Sequence, residues 1–161
     1  TQHREKLAKM FYQLQASFPQ ICETSDNRFR LTDWTFDVKG LALTELETMA
    51  ATCQAQGWGF TYSTVQCHIK LPTQEKATGL LQILNQFFPG YSLDQVVTVG
   101  DSRNDESLFD PKKFPHSVGV ANVLNYADQL VYQPAYITTA AEGSGFCELA
   151  DYLLAAINQK G

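Results

Sequence analysis

Asp101 and Asp105 stand four residues apart in the string Val96-Val97-Thr98-Val99-Gly100-Asp101-Ser102-Arg103-Asn104-Asp105. The first part of the string is a β-branched apolar run, the composition of a strand buried on both faces. Gly100 lets the backbone turn tightly after it. That places Asp101 at the carboxyl end of the strand and Asp105 near the start of the helix that follows, where open α/β sheets bind their ligands. Two hard oxygen donors close together suit Mg2+, which takes one or two carboxylates together with water and substrate phosphate. An Asp-rich turn that merely caps a helix has the same composition, so the string alone leaves both readings open. Lys76 is the next candidate. It follows Pro72-Thr73-Gln74-Glu75 at the amino end of a predicted helix. A helix start favours anions, and a lysine there adds a point charge for a phosphate. Taken by itself, the same residue reads more simply as a solvated surface lysine.

The elements that must hold these residues divide at about residues 70–74. In the first part, Leu7, Met10, Phe11 and Leu14 follow an i, i+3, i+4, i+7 spacing that predicts an amphipathic helix over 4–17, ended by Phe18-Pro19. Residues 21–39 carry Phe29, Leu31, Trp34, Phe36 and Val38 in partial alternation around Ser25-Asp26-Asn27, which predicts a pair of strands. A helix is expected over 43–56, with Thr44 as N-cap, Glu47 three residues on, and Gly57 to end it. Residues 58–71 alternate as one long strand or as a hairpin broken near Ser63. Residues 1–70 are therefore expected to form a small α+β unit with an antiparallel sheet. Beyond Pro72 the pattern becomes helix 76–88, strand 96–100, a short helix 105–109, strand 117–121, a helical stretch 125–130, a short strand 136–138 and a terminal helix 145–159. That alternation implies an α/β arrangement over 71–161, a parallel sheet with helices on both faces.

Composition removes several classes of function. Of 161 residues, 44% are hydrophobic and 18% charged, ordinary for a globular protein, and the formal net charge is −5. With that balance and no basic stripe, a nucleic-acid partner is not expected. No apolar run is long enough for a membrane helix, and the start lacks a signal-peptide pattern. Cys22, Cys53, Cys67 and Cys147 are scattered, with no CxxC pair, which argues against zinc and against a disulfide framework. Four small buried side chains in a reduced, cytoplasmic setting are the simplest expectation. His3, His68 and His116 stand alone and suggest no catalytic role. Trp34, Phe36, Trp58, Phe60 and Tyr62 could line a sugar-binding surface, but sheet core is the more ordinary role for them. Arg28, Arg30 and Lys70 could meet an anionic substrate, with a solvated strand face as the plainer reading.

Lys76 at a helix start, about 25 residues before Gly100-Asp101-Ser102-Arg103-Asn104-Asp105, resembles the third and fourth motifs of the haloacid dehalogenase (HAD) superfamily. Ser117-Val118-Gly119-Val120-Ala121-Asn122, then Ala127-Asp128, Tyr136-Ile137-Thr138 and Gly143-Ser144-Gly145-Phe146 are similar to the tail of that fold. The branch it is most similar to carries a large α+β cap and includes sucrose-phosphate, mannosyl-3-phosphoglycerate and Cof-type phosphatases. The resemblance covers 71–161 by motif and 1–70 by cap-like organisation. It implies half of a Rossmann-like core with a parallel sheet, plus part of a cap with an antiparallel sheet. The activity it implies is Mg2+-dependent hydrolysis of a small phosphorylated substrate, a sugar phosphate above all, through an aspartyl-phosphate. On this sequence Lys76 would neutralise and bind the phosphate, Asp101 would be the metal ligand, and Asn104 and Asp105 would hold the metal, its waters or the lysine. Asn122 would support the substrate site.

One part of the family pattern has no counterpart. The nucleophile lies in Asp-x-Asp-x-Thr/Val after a buried strand. The nearest string, Asp33-Trp34-Thr35-Phe36-Asp37, has its carboxylates four apart and no such strand before it. The second-motif Ser/Thr is likewise without a candidate. With Thr, not Met, as its first residue, the chain is expected to be the carboxyl-terminal part of such a phosphatase, inactive alone. Its exposed sheet edge would be met by an amino-terminal segment or by self-association. Two other readings remain. One is a truncated or degenerate module that binds a phosphate or a partner without chemistry. The other, a response-regulator-like ion-binding domain, conflicts with the order of Lys76 and Asp101.

Overall fold

A computed structural model of the chain describes residues 2–159. These fall into two compact units divided between Glu75 and Lys76, each with its own three-stranded sheet.

The first unit is α+β with an antiparallel sheet. It comprises α1 (Gln2–Ser17), β1 (Asp33–Asp37), α2 (Leu43–Ala55), β2 (Gly59–Tyr62) and β3 (Gln66–Lys70), with strand order β1-β3-β2. The spacing read from α1 is the one that packs: Leu7, Met10, Phe11 and Leu14 are all buried, against Leu46, Met49 and Cys53 of α2 and Trp34, Phe36, Cys67 and Ile69 of the sheet. Strand periodicity puts these last four on one face. Phe60 and Tyr62 pack against the same cluster, as does Trp58, so the aromatic residues serve the core. Ser63 turns the β2–β3 hairpin, its Oγ accepting from the amides of Val65 (3.1 Å) and Gln66 (3.2 Å). Gly57, at φ +78°, ends the α2 region as expected.

Two local expectations fail here. The strand predicted before β1 is reduced to a single antiparallel bridge, Glu23 to Phe36, because Ser25–Phe29 winds into a 3-10 turn. The buried Asn27 side chain fills the gap: it donates to the Thr35 carbonyl (2.7 Å) and accepts from the Thr35 amide (2.8 Å), as a neighbouring strand would. Thr44 does not cap α2. Ala42 holds the cap position, and Glu45 reaches back to accept the Ala42 amide at 2.8 Å, satisfying that end with a carboxylate instead.

Arg30 and His68 converge on one carboxylate, Asp33. Arg30 Nη1 lies 2.8 Å and His68 Nδ1 3.0 Å from Asp33 Oδ2, and Arg30 also pairs with Asp26. Burial alone would raise the Asp33 pKa, but the His68 hydrogen bond and the Arg30 charge outweigh it and hold the group below its ordinary value of 3.8. A carboxyl depressed in the folded state stabilises above its unfolded pKa and loses that contribution as acid carries pH down through the folded value. Unit 1 is therefore expected to lose stability below about pH 4, and an Asp33→Asn variant to show a shallower acid limb in urea midpoints followed by tryptophan fluorescence.

The second unit carries α3 (Lys76–Phe87), β4 (Val97–Gly100), β5 (His116–Gly119), β6 (Tyr136–Ile137) and α4 (Glu142–Asn158). Its sheet is parallel, in the order β4-β5-β6. The links between strands are 3-10 segments, Arg103–Phe109 and Ala121–Gln129, shorter and tighter than the α-helices that alternation suggests. Phe109, Val123, Tyr126 and Leu130 form the core beneath them. β4 is a sheet edge, and it is not buried on both faces: Thr98 and Gly100 are buried, whereas Val97 is 39% exposed and borders an apolar groove of about 530 Å3 lined also by Val118, Tyr136, Leu149 and Leu153. The helices are equally uncovered. Only Ala77 of α3 and Gly145 of α4 are buried among their described residues. Ile83, Phe87, Phe146, Leu154 and Ile157 are exposed apolar side chains.

Among the described residues no helix is long and apolar enough to cross a membrane. The four cysteines are free. Cys53 and Cys67 are buried, and burial pushes both thiols up to about 12. Cys22 and Cys147 are exposed, contrary to the expectation of four buried side chains; Cys147 lies on α4, where only Gly145 is buried among the described residues.

Candidate functional site

The carboxyl end of β4 releases the chain into a turn too tight for any side chain at its last position. A Cβ on Gly100 would lie 2.4 Å from Asp105 Cβ and 2.8 Å from Phe109 Cζ. That close approach folds Asp105 back under the turn. Its Oδ2 accepts from the backbone amides of Asp101 (2.9 Å) and Ser102 (3.4 Å), and its Oδ1 takes an ion pair from Lys76 Nζ. Asp105 is 3% exposed, and these three donors offset the cost of burying its charge. Lys76 is the first residue of α3, and that helix start is fixed by the Ala77 amide, which donates to Ser107 Oγ at 3.2 Å. The two positions of the lysine and the carboxylate are thus set by the same 3-10 segment, Arg103–Phe109.

Asp101, the other acid of the pair, is exposed. Asn122 Nδ2 donates to its Oδ2 (3.2 Å) and to its carbonyl (3.4 Å). Lys76, Gly100, Asp101 and Asp105 line one open depression of about 480 Å3, together with Val99, Val120 and the start of α4 at Glu142, Gly143 and Phe146. Of the residues singled out in the sequence, Lys76, Asp101 and Asp105 therefore come together. Asn122 stands behind Asp101. Asn104 hydrogen-bonds to Ser102 Oγ within the turn and does not line the depression. Glu142 was not anticipated. Its one signal in the sequence is the run Glu142-Gly143-Ser144-Gly145 ahead of a periodic helix.

The donors around the depression are oxygens. No group of three or more His, Cys, Asp or Glu gathers among the described residues. The carboxylate exposed to the depression, Asp101, stands beside the Lys76–Asp105 pair, a set with room for few protein oxygens on any cation.

No family model matches the sequence. A phosphoglycolate phosphatase from Methanothrix thermoacetophila is 30% identical over 135 residues, covering 81% of this chain and 55% of that protein. A haloacid dehalogenase-like hydrolase from Bacteroides thetaiotaomicron superposes with a TM-score of 0.53 at 17% identity, over 81% of this chain and 48% of that one. The chain has the fold of the HAD-like hydrolases. The sucrose-phosphatase of Synechocystis, solved with sucrose and phosphate, matches the chain more fully, with a TM-score of 0.65 at 15% identity over 92% of this chain and 64% of that one. The chain thus spans about half the length of the curated relative it matches.

Proposed function

We propose that the chain supplies the phosphate- and metal-handling part of a Mg2+-dependent phosphatase that acts on a sugar phosphate or a related small phosphomonoester. The observation that carries this reading is the Lys76–Asp105 ion pair set beside an exposed Asp101 at the carboxyl end of β4. An ammonium has three donors, and one goes to Asp105. The others are left for phosphate oxygens, whose charge Lys76 neutralises. Asp105 aims the lysine. Asp101 would hold Mg2+, with Asp105 holding the lysine and Asn104, bonded to Ser102 Oγ, shaping the turn between them. When bound, the ion supplies further positive charge to the oxygens of the transferring phosphoryl group.

The chemistry also needs an aspartate that takes the phosphoryl group as an aspartyl-phosphate. We place it outside these 161 residues, with 1–70 as part of a cap and 71–161 as half of the core. The open edge of β4 and the uncovered apolar faces of α3 and α4 support a further segment, or a second copy, packed against unit 2. The names of the relatives, a phosphoglycolate phosphatase and a sucrose-phosphatase, support small phosphomonoesters as the substrate class.

The test is an assay of p-nitrophenyl phosphate and a panel of sugar phosphates with Mg2+, using this chain and a version extended upstream. Turnover is expected only in the extended protein and is expected to stop with EDTA. Turnover in neither would favour the non-catalytic phosphate-binding module.

A further inference from the structure

Asn122 sits between two things that have to be held. On one side its Nδ2 reaches Asp101 Oδ2 at 3.2 Å and the Asp101 carbonyl at 3.4 Å. On the other its Oδ1 accepts the Glu142 amide at 2.9 Å. A backbone N–H can only donate, so it fixes which way the Asn122 amide points. With Oδ1 committed to Glu142, the amide must present its N–H group to Asp101.

The segment on which Asn122 leans is closely bonded and packed. Glu142 is the one non-glycine residue at positive φ (51°) among the described residues, a conformation that persists only where surroundings impose it. The two Glu148 oxygens accept the Thr139 and Ala140 amides, each at 2.9 Å. The Ala121 amide, next to Asn122, donates to the Ala140 carbonyl at 3.1 Å. Gly145 packs so closely that a Cβ there would stand 2.3 Å from that same carbonyl.

We propose that Asn122 is a positioning residue that locks the Asp101 carboxylate to the start of α4, in the orientation a divalent cation requires. A neutral amide suits the task. It orients the carboxylate by donation yet leaves its full negative charge for the ion, which a lysine or arginine at the same place would cancel. This inference rests on the proposed Mg2+ role of Asp101.

The experiment titrates the 161-residue chain with Mg2+ alone, following the backbone amide resonances of residues 101–105 by 1H–15N NMR. The wild type, Asn122→Ala, Asn122→Ser and Asp101→Asn are compared, with thermal unfolding in metal-free buffer alongside. Asn122→Ala is expected to weaken Mg2+ binding about tenfold or more. Asn122→Ser, whose hydroxyl is too short to span both partners, is expected to do the same and serves if the alanine variant does not fold. A lower melting temperature with Mg2+ affinity within twofold of wild type would overturn the proposal, since a merely structural brace moves the first and not the second. A wild type without Mg2+-dependent shifts, or an Asp101→Asn variant that binds as the wild type does, would instead remove the metal reading and this inference with it.

Discussion

Asp105→Ala is expected to destabilise unit 2 by about 3 kcal/mol, because the substitution orphans the two backbone amides that the carboxylate holds at the β4 exit. Asp105 is the acceptor for the Asp101 and Ser102 amides, and neither has another acceptor in the turn as it is folded. Removing the carboxylate leaves the β4 exit without the bonds that define it. The lysine released is half-exposed and simply regains water. The complementary change, Lys76→Ala, leaves a buried carboxylate with two amide donors and one side open to solvent, and about 2 kcal/mol is expected. Asp105→Asn should resemble the alanine variant more than the wild type, since its NH2 group must confront either an amide or the lysine. Both tryptophans, Trp34 and Trp58, belong to unit 1, so the measurement is urea denaturation followed at amide resonances of β4 and β5. A loss under about 1 kcal/mol for Asp105→Ala would mean that the turn is held by Gly100 and its packing alone.

What could be read from the sequence is what depends on near neighbours. The α1 stripe needed only helical periodicity and a core to face, and Leu7, Met10, Phe11 and Leu14 are all buried. The spacing of Asp101 and Asp105 after a β-branched run is likewise local, because a strand that ends at Gly100 has little choice in where the next turn points. The missing strand before β1 shows the limit. Its composition is that of a strand, and no pattern reveals that one amide, Asn27, replaces the ladder. The helix expected over 76–88 was equally legible, but its periodicity does not foretell that Ile83 and Phe87 stand exposed. Glu142 was missed for a similar reason. It stands at positive φ and its amide bonds to Asn122, twenty residues away, and its own residue type argues against that conformation. Composition also treated the two acids of the site as equals. Their surroundings separate them into a buried one that fixes the lysine and an exposed one that faces the depression.

That separation leads to the second large effect. In the upstream-extended protein, Asp101→Ala is expected to lower kcat/KM for a sugar phosphate by about 1,000-fold or more, roughly 4 kcal/mol of transition-state stabilisation, with little change in urea stability. Asp101 is exposed, and its backbone amide, not its side chain, is what Asp105 uses to hold the turn. The carboxylate contributes one hydrogen bond to the fold, from Asn122. The reading given to it, holding Mg2+ against the phosphoryl oxygens, places its whole worth in the reaction. Asp105→Ala should lose activity as well, but together with stability, so the ratio of the two losses distinguishes the roles. Raising Mg2+ should restore part of the activity of an Asp101→Asn variant, which keeps one oxygen donor, and none to the alanine variant. An Asp101→Ala enzyme that retains more than a tenth of wild-type turnover with unchanged Mg2+ dependence would remove Asp101 from the metal site and leave the lysine and its buried partner as a phosphate anchor.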